Sequence, residues 1–479
     1  MSDYLCLDVR VHEALPLNTE NLDAIAPRVR QVPTYPRFES VPRIVHIGVG
    51  GFHRSHMALY TDDLAHAGST WRICGLGLLE HDRRMADTLH AQDHLYTLIE
   101  RQSNETVVSV IGSITEYCLA VDDRELGAGR IADPEIAIVS LTITEGGYAT
   151  GPTGEPPAAI AMLVNGLNLR RIAGHAPVTV LSCDNLPGNG DVARQAVAEV
   201  AAAVSPELAN WIDTKCTFPN SMVDRITPAT ADSDRDWLRH THGIIDRWPV
   251  VGEAFRQWVI EDKFVAGRPN WEDVGALFTD DVHAWELYKL RMLNAAHSTI
   301  AYLSFLAGIE YVDEAIANPA VRHYLDAFLA SESIPTLTEI PGYPRENYAA
   351  SVLERFENTG VRDQIRRLCI DGTAKYPIFL IPTIERLLAT GGPVGCSALA
   401  LAGWARYLAT VPEDQQSFDA GIERSRQFAR MALTEPTAFL EHHDVFPTAV
   451  RDHPRFRAAF TEASVALAAA GPLAAMMAR

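Results

Sequence analysis

Basic residues are in short supply. Lysine and arginine number 41 against 61 aspartates and glutamates, a net charge of −20. So acidic a surface repels phosphate backbones and anionic lipid, which excludes nucleic acid and membranes as main partners. Cysteine is scarce and shows no pairing pattern: Cys6, Cys74, Cys118, Cys183, Cys216, Cys369 and Cys396 are scattered, with no C-x-x-C. That spacing excludes a disulfide framework or a structural zinc site and fits a reducing cytoplasm. The first residues lack a basic stretch followed by an apolar core, so no signal peptide is expected. The most apolar stretch, Ala463–Ala478, is shorter than the ~20 residues of a membrane span and is interrupted by Gly471-Pro472. It reads as a surface or packing helix. Also missing are G-K-[ST] after a glycine loop, Y-x-x-x-K and H-E-x-x-H. Their absence removes the Walker A phosphate loop, the short-chain tyrosine–lysine mechanism and the common helical zinc site. His53 and His56 could share a helix face, but no carboxylate or cysteine partner is evident and they read as structural, so no metal is expected.

What is present is a globular composition, 47% hydrophobic and 21% charged over 479 residues. That length suits two large domains or three ordinary ones at ~150 residues each. About forty proline-rich residues read as an irregular lead-in. Short, nearly continuous apolar runs follow: Arg43–Val49, Trp71–Leu78, Glu135–Ile143 and Val178–Ser182. Such runs signal strands buried on both faces, and helical spacing between them (Phe52–Ala67, His81–Ala91) predicts a mostly parallel sheet. Leu95–Glu100 and Thr106–Ile114 predict a hairpin or added strands around Ser103-Asn104. From about Trp285 the pattern is helical only, in Trp285–Ala307, Val321–Ser331, Asn347–Asn358, Ser397–Leu408 and Ile422–Leu433. The expected organisation is an α/β domain over residues 1–280 and a mainly α-helical domain over residues 281–479, with a cleft between them.

The first strand runs into Ile47-Gly48-Val49-Gly50-Gly51-Phe52-His53-Arg54, with a helix expected at once. Glycines there let the backbone approach a pyrophosphate, and the helix N-terminus adds unpaired N–H groups. The sixth position of G-x-G-x-x-G holds His53, so an ordinary tight turn fits the pattern as well. A dinucleotide also needs an acid after the second strand, where Glu80 and Asp82 stand. A carboxylate there repels a 2′-phosphate and favours NAD over NADP; Asp82 could equally cap a helix. Further on, Lys289, Asn294 and His297 fall within ~140° on an α-helical wheel at ~100° per residue. Lysine, asparagine and histidine on one face among Leu290, Met292 and Leu293 suggest chemistry, although a solvated lysine gives the same spacing.

Five motifs in order, Ile44–Arg54 (IVHIGVGGFHR), Ser140–Tyr148 (SLTITEGGY), Ser182–Gly190 (SCDNLPGNG), Phe218–Pro228 (FPNSMVDRITP) and Lys289–His297 (KLRMLNAAH), resemble the mannitol dehydrogenase family. The resemblance runs from about Val41 to about Leu408. It implies a zinc-independent, NAD-linked oxidoreductase with an N-terminal Rossmann-type domain and a helical C-terminal domain. It assigns the general base to Lys289, oxygen-binding amides to Asn185 and Asn294, and a supporting histidine to His297. Asp224, in Val223-Asp224-Arg225, would tune the lysine or relay its proton, or else form a salt bridge. Arg367 and Lys375 match positions that bind polyol hydroxyls. These residue types suit alcohol oxidation. A desolvated lysine can titrate near neutrality, and two amide donors stabilise a developing alkoxide without adding charge. The Asp371–Ile384 segment resembles the branch acting on mannitol, while KLRMLN also occurs among uronate reductases. A neutral C6 or C5 polyol is therefore expected, with its ketose as product. A silent NAD-binding sugar sensor is the reading from another class. Nothing in the sequence demands a partner subunit, and a monomer is expected.

Overall fold

Short strands made mostly of apolar residues need cover on both faces, and the fold supplies it. The computed structural model describes residues 13–121, 123–151 and 155–479; Cys6 lies outside the described residues. Contacts divide the chain into a unit ending at Val282 and a second from His283 to Arg479.

In the first unit β1 (Ile44–Ile47), β2 (Ile73–Gly77), β3 (Ile114–Leu119), β4 (Ile138–Leu141) and β5 (Thr179–Ser182) form one sheet. Its order is β3-β2-β1-β4-β5, and every pairing is parallel. Alternate side chains serve two cores. Val45, Ile47, Val139 and Val180 pack against helices carrying Ile131, Ile160 and Leu163. Ile44, Ile138 and Leu181 face a cluster built on Tyr60, Tyr117, Trp258 and Trp271. The helices Arg124–Ala132 and Ala158–Ala173 approach closely, because a Cβ at Gly166 would lie 2.4 Å from Ile131 Cβ.

The expected hairpin forms, with Tyr96–Arg101 antiparallel to Thr106–Ile111, and Val250–Glu253 joins it in parallel. In a third sheet Gln257–Glu261 is central, antiparallel to Ser221–Asp224 and parallel to Leu277–Thr279. Two expectations need correction. The lead-in is not irregular throughout: Leu15–Pro16 pairs with Ile244–Ile245, helical turns run from Thr19 to Arg28, and Leu17 and Ile25 are buried beside Leu238 and Ile244. Pro16 sits in the short strand and Pro27 in a helical turn, and neither prevents packing. The helix after the glycine turn is two helices, Gly51–Ser55 and Met57–His66, parted at His56 (φ −119°, ψ −94°). The His56 ring reaches inward to the Gln257 carbonyl at 2.9 Å and lies against Trp258. A one-residue break of this kind leaves no mark on apolar periodicity.

Among its described residues the second unit holds helices and two isolated bridges, and no strand. Ala295–Leu306, Gly395–Thr410 and Pro454–Met477 pack together around Tyr302, Trp404, Tyr407 and Phe439. The last helix is long and apolar enough to cross a membrane by length and composition alone. Gly471, at φ 77° and ψ 173°, breaks it, and Phe456, Phe460, Ala463 and Leu467 are buried in the unit. One of its faces packs on the unit. The described cysteines are unpaired; five are buried and Cys118 is half-buried.

Candidate active site

The strand order reverses between β1 and β4, and there the carboxyl ends of the strands leave a crevice suited to a ligand. A cleft of about 490 Å³ opens at that point, lined by Ile47, Gly48, Val49, Gly50, Asp82 and Thr142 among others. Gly48 adopts φ +93°, and a Cβ on it would lie 2.2 Å from the Thr142 carbonyl oxygen. Only glycine fits there. Gly50 is the N-cap of Gly51–Ser55, so the helix begins at the cleft. Behind it His53 and Arg54 are buried and turn inward. The Arg54 guanidinium donates to the Trp248 carbonyl at 2.5 Å. Of the turn residues singled out in the sequence, Ile47 to Gly50 line the cleft, while Gly51 to Arg54 form the helix behind it.

At the end of β2, Asp82 does two things. Its Oδ2 accepts from the Leu78 and Leu79 N–H groups at 2.8 and 2.9 Å, and its side chain lines the cleft. The carboxylate closes the turn Glu80–Asp82, while at the N-cap of the helix Arg83–Ala91 it makes no capping bond. Glu80 is exposed and paired with Arg83 at 2.7 Å.

Three features in or behind the cleft have roles that composition and periodicity do not reveal. His46 lies inside β1, fully buried. Thr142 Oγ1 donates to the Gly48 carbonyl at 2.7 Å, so His46 Nε2 donates to Thr142 (2.9 Å) and its Nδ1 accepts from Ser140 (2.8 Å). A neutral ring therefore ties the glycine turn to β4. Burial pushes His46 down to about 3. His53 replaces the third glycine of the fingerprint by stacking on His46, with centroids 3.5 Å apart and planes 9° apart. Asp184 accepts from the Thr144 N–H at 2.7 Å and the Tyr148 hydroxyl at 2.6 Å, fixing the loop after β4. Trp248 forms another wall, with the Arg84 guanidinium 4.2 Å from its ring centre. None of the three is visible in sequence, because each depends on neighbours far along the chain.

Asn185 also belongs to the first unit, exposed in the turn between β5 and the helix Asn189–Val204. Asp224 ends its strand at 2% exposure.

In the second unit the lysine segment differs from the α-helical wheel. Lys289–Asn294 is a π-helix between His283–Tyr288 and Ala295–Leu306. The Ala295 N–H reaches back to the Leu290 carbonyl, five residues away. In an i→i+5 turn, residue i+5 stacks close above residue i, so Asn294 is carried towards the Lys289 side of the helix. Lys289 is 8% exposed. Among the described residues, Asn294 Nδ2 and His297 Nε2 are enclosed without a hydrogen-bond partner. The His297 ring stacks on Phe356 at 4.2 Å, and burial lowers its pKa to about 3; Asp363 pulls it up, while Arg367, Arg355 and Lys375 push it further down. Arg367 holds Asp363 through two bonds of 2.6 and 2.5 Å. Burial, then the charge of Arg367, lowers Lys375. His297, Arg367 and Lys375 lie close enough to feel one another's charge, and Asn294 stands three residues before His297 on the same helical run.

A parallel sheet with a glycine-floored crevice, joined to a helical unit that buries a lysine, defines a Rossmann-type dinucleotide-binding chain. Residues 42–273 match the mannitol dehydrogenase Rossmann domain and residues 281–468 the mannitol dehydrogenase C-terminal domain. The Pseudomonas fluorescens mannitol 2-dehydrogenase, solved as a ternary complex with NAD and D-mannitol, superposes with a TM-score of 0.87 at 41% identity, covering 96% of this chain and 99% of that one. A D-sorbitol dehydrogenase in substrate-free form superposes with a TM-score of 0.86 at 34% identity, covering 96% and 100%. The mannitol 2-dehydrogenase of Aspergillus fumigatus is 40% identical over 481 residues, 94% of this chain and 96% of its own length. This chain belongs to the mannitol dehydrogenase family.

Two outcomes follow from the geometry. Gly48→Ala should abolish measurable dinucleotide binding in titration calorimetry, because its methyl group meets the Thr142 carbonyl; binding within threefold of wild type would show that the turn can yield. His46, His56 and His297 hold out against protonation to about 3, whereas unfolded imidazoles titrate near 6.5. Their contribution is intact above pH ~6.5 and is lost as pH falls towards 3, each by up to ~1.4 kcal/mol per pH unit. Urea midpoints measured between pH 7 and 4.5 should fall steadily, and a flat profile would contradict the enclosure of these rings.

Proposed function

We propose that the protein is an NAD-dependent polyol dehydrogenase that oxidises D-mannitol to D-fructose, with a lysine rather than a zinc ion taking the hydroxyl proton. The observation that carries the mechanism is the π turn, which buries Lys289 and presents the unpartnered amide of Asn294 beside it. Similarity to a protein solved with NAD and D-mannitol supports the cofactor and the substrate. The cleft supports a dinucleotide reading: Gly48 lets the turn pass close against Thr142, a helix starts at Gly50 beside the cleft, and Asp82 lines it with a carboxylate of the kind that accepts from ribose hydroxyls. Bound NAD supplies the hydride acceptor.

This chain's residues do the rest. Neutral Lys289 accepts the hydroxyl proton as hydride leaves the same carbon, and the charge developing on oxygen is met by the side-chain amides of Asn185 and Asn294. His297 hydrogen-bonds a neighbouring hydroxyl or fixes the Asn294 side. Arg367 and Lys375 bind further hydroxyls, and Asp224 tunes the lysine or relays its proton. The Asp82 carboxylate disfavours a 2′-phosphate, which supports NAD over NADP. Sorbitol is the second reading, favoured by the likeness to D-sorbitol dehydrogenase.

Purified protein offered fructose, xylulose, tagaturonate and fructuronate, each with NADH and with NADPH, should turn over fructose with NADH fastest. Turnover confined to the uronates would move the function to hexuronate reduction, and NAD binding without any turnover would mark a sensor. Separately, Lys289→Ala should lower kcat by about 10²–10⁴-fold while the protein stays folded and binds NAD. Near-wild-type turnover across pH would remove lysine from the mechanism.

A further inference from the structure

Isolated π turns within helices are rare and concentrate at functional sites. The second unit contains two. Beside Lys289–Asn294 lies Leu329–Ser333, and the segments touch. Ser333 Oγ donates to the Arg291 carbonyl at 2.7 Å, in the middle of the lysine turn. In return Arg291 Nη1 donates to the Thr336 carbonyl at 2.8 Å, just beyond the second turn. Ser333 is 0% exposed. Its neighbour Glu332 is buried too, and its carboxylate accepts from the Cys396 N–H (2.6 Å), the Ser397 N–H (2.8 Å) and the Ser397 hydroxyl (2.5 Å). Those N–H groups are at the start of the sixteen-residue helix Gly395–Thr410, where a carboxylate is favoured. Ser333 is therefore anchored through Glu332 to a long helix at the centre of the unit.

We propose that Ser333 and Arg291 form a brace that holds the lysine turn in its π form. The catalytic consequence rests on the lysine reading above. If the extra residue slipped out of the turn, Asn294 and His297 would rotate by roughly 100° about the helix axis relative to Lys289. The hydroxyl of Ser333 opposes this slip by supplying Arg291 with a donor from outside the helix, while the Arg291 side chain closes the loop at Thr336. Ser333 touches no reacting atom in this scheme; it is a positioning residue.

The test is Ser333→Ala, with Arg291→Lys as a second, milder variant that cannot reach Thr336 in the same way. Amide hydrogen exchange across Ala295–Ser298 should speed up at least tenfold in Ser333→Ala, and NAD affinity should stay within twofold of wild type. Turnover should fall at least tenfold, with the pH profile of kcat/KM displaced. Exchange at wild-type rates in both variants would overturn the brace, and so would faster exchange with unchanged turnover and pH profile. Should Ser333→Ala fail to fold, Arg291→Lys decides by the same readouts. Lys289→Ala run in parallel separates the two ideas: if it retains turnover the base assignment fails, while exchange at Ala295–Ser298 still decides whether the turn is braced.

Discussion

Keeping both faces of a parallel sheet from water governs the first unit. Each of β1, β2, β4 and β5 is buried along its whole length. Parallel neighbours cannot be joined by tight turns, so the connections cross a face, and the carboxyl ends gather at one edge. Where the order reverses, two connections diverge to opposite faces and leave a crevice. The backbone at Gly48 then has to pass against Thr142 with no room for a side chain. The glycine turn, the helix start at Gly50 and the placing of Asp82 all follow from that arrangement.

Polar groups buried in this setting must be satisfied or kept neutral. His46 shows how: a serine and a threonine hydroxyl satisfy both ring nitrogens, and its stack on His53 fills the space that a third glycine would leave to close backbone contact. The second unit solves a different problem. A buried lysine and two enclosed, unpartnered nitrogens are held on a helix whose local geometry departs from the α form. Unsatisfied buried donors cost about 1–3 kcal/mol each, which a folded protein tolerates where a ligand completes them.

Much of this was legible in the sequence because it rests on local pattern. Apolar runs announced the strands, a polar dipeptide announced the hairpin, and uninterrupted helical spacing announced the second unit. The glycine turn was legible because a φ constraint such as that at Gly48 leaves a residue-level trace. The π turn was not, since KLRMLN has the same apolar rhythm whether its bonds span four residues or five. Nor was the role of His46, which reads as one more member of a strand, or those of Asp184 and Trp248, which come from loops and helices 36 or more residues away. The opening segment was misread because proline content speaks of backbone stiffness, while Leu17 and Ile25 find their cover beyond residue 230.

That last contact has a bearing on how the chain is made. Arg28 donates to the Gly243 carbonyl across 215 residues, and Leu15–Pro16 pairs with the strand just after it. At ~5–20 residues per second on the ribosome, the opening segment waits roughly 10–40 s for its partner to emerge. During that interval the hairpin edge destined for Val250–Glu253 also stands open. The nascent chain thus carries an unprotected strand edge from the completion of the hairpin at Ile111 until Val250–Glu253 is made, and that interval is when a chaperone has most to gain by holding it.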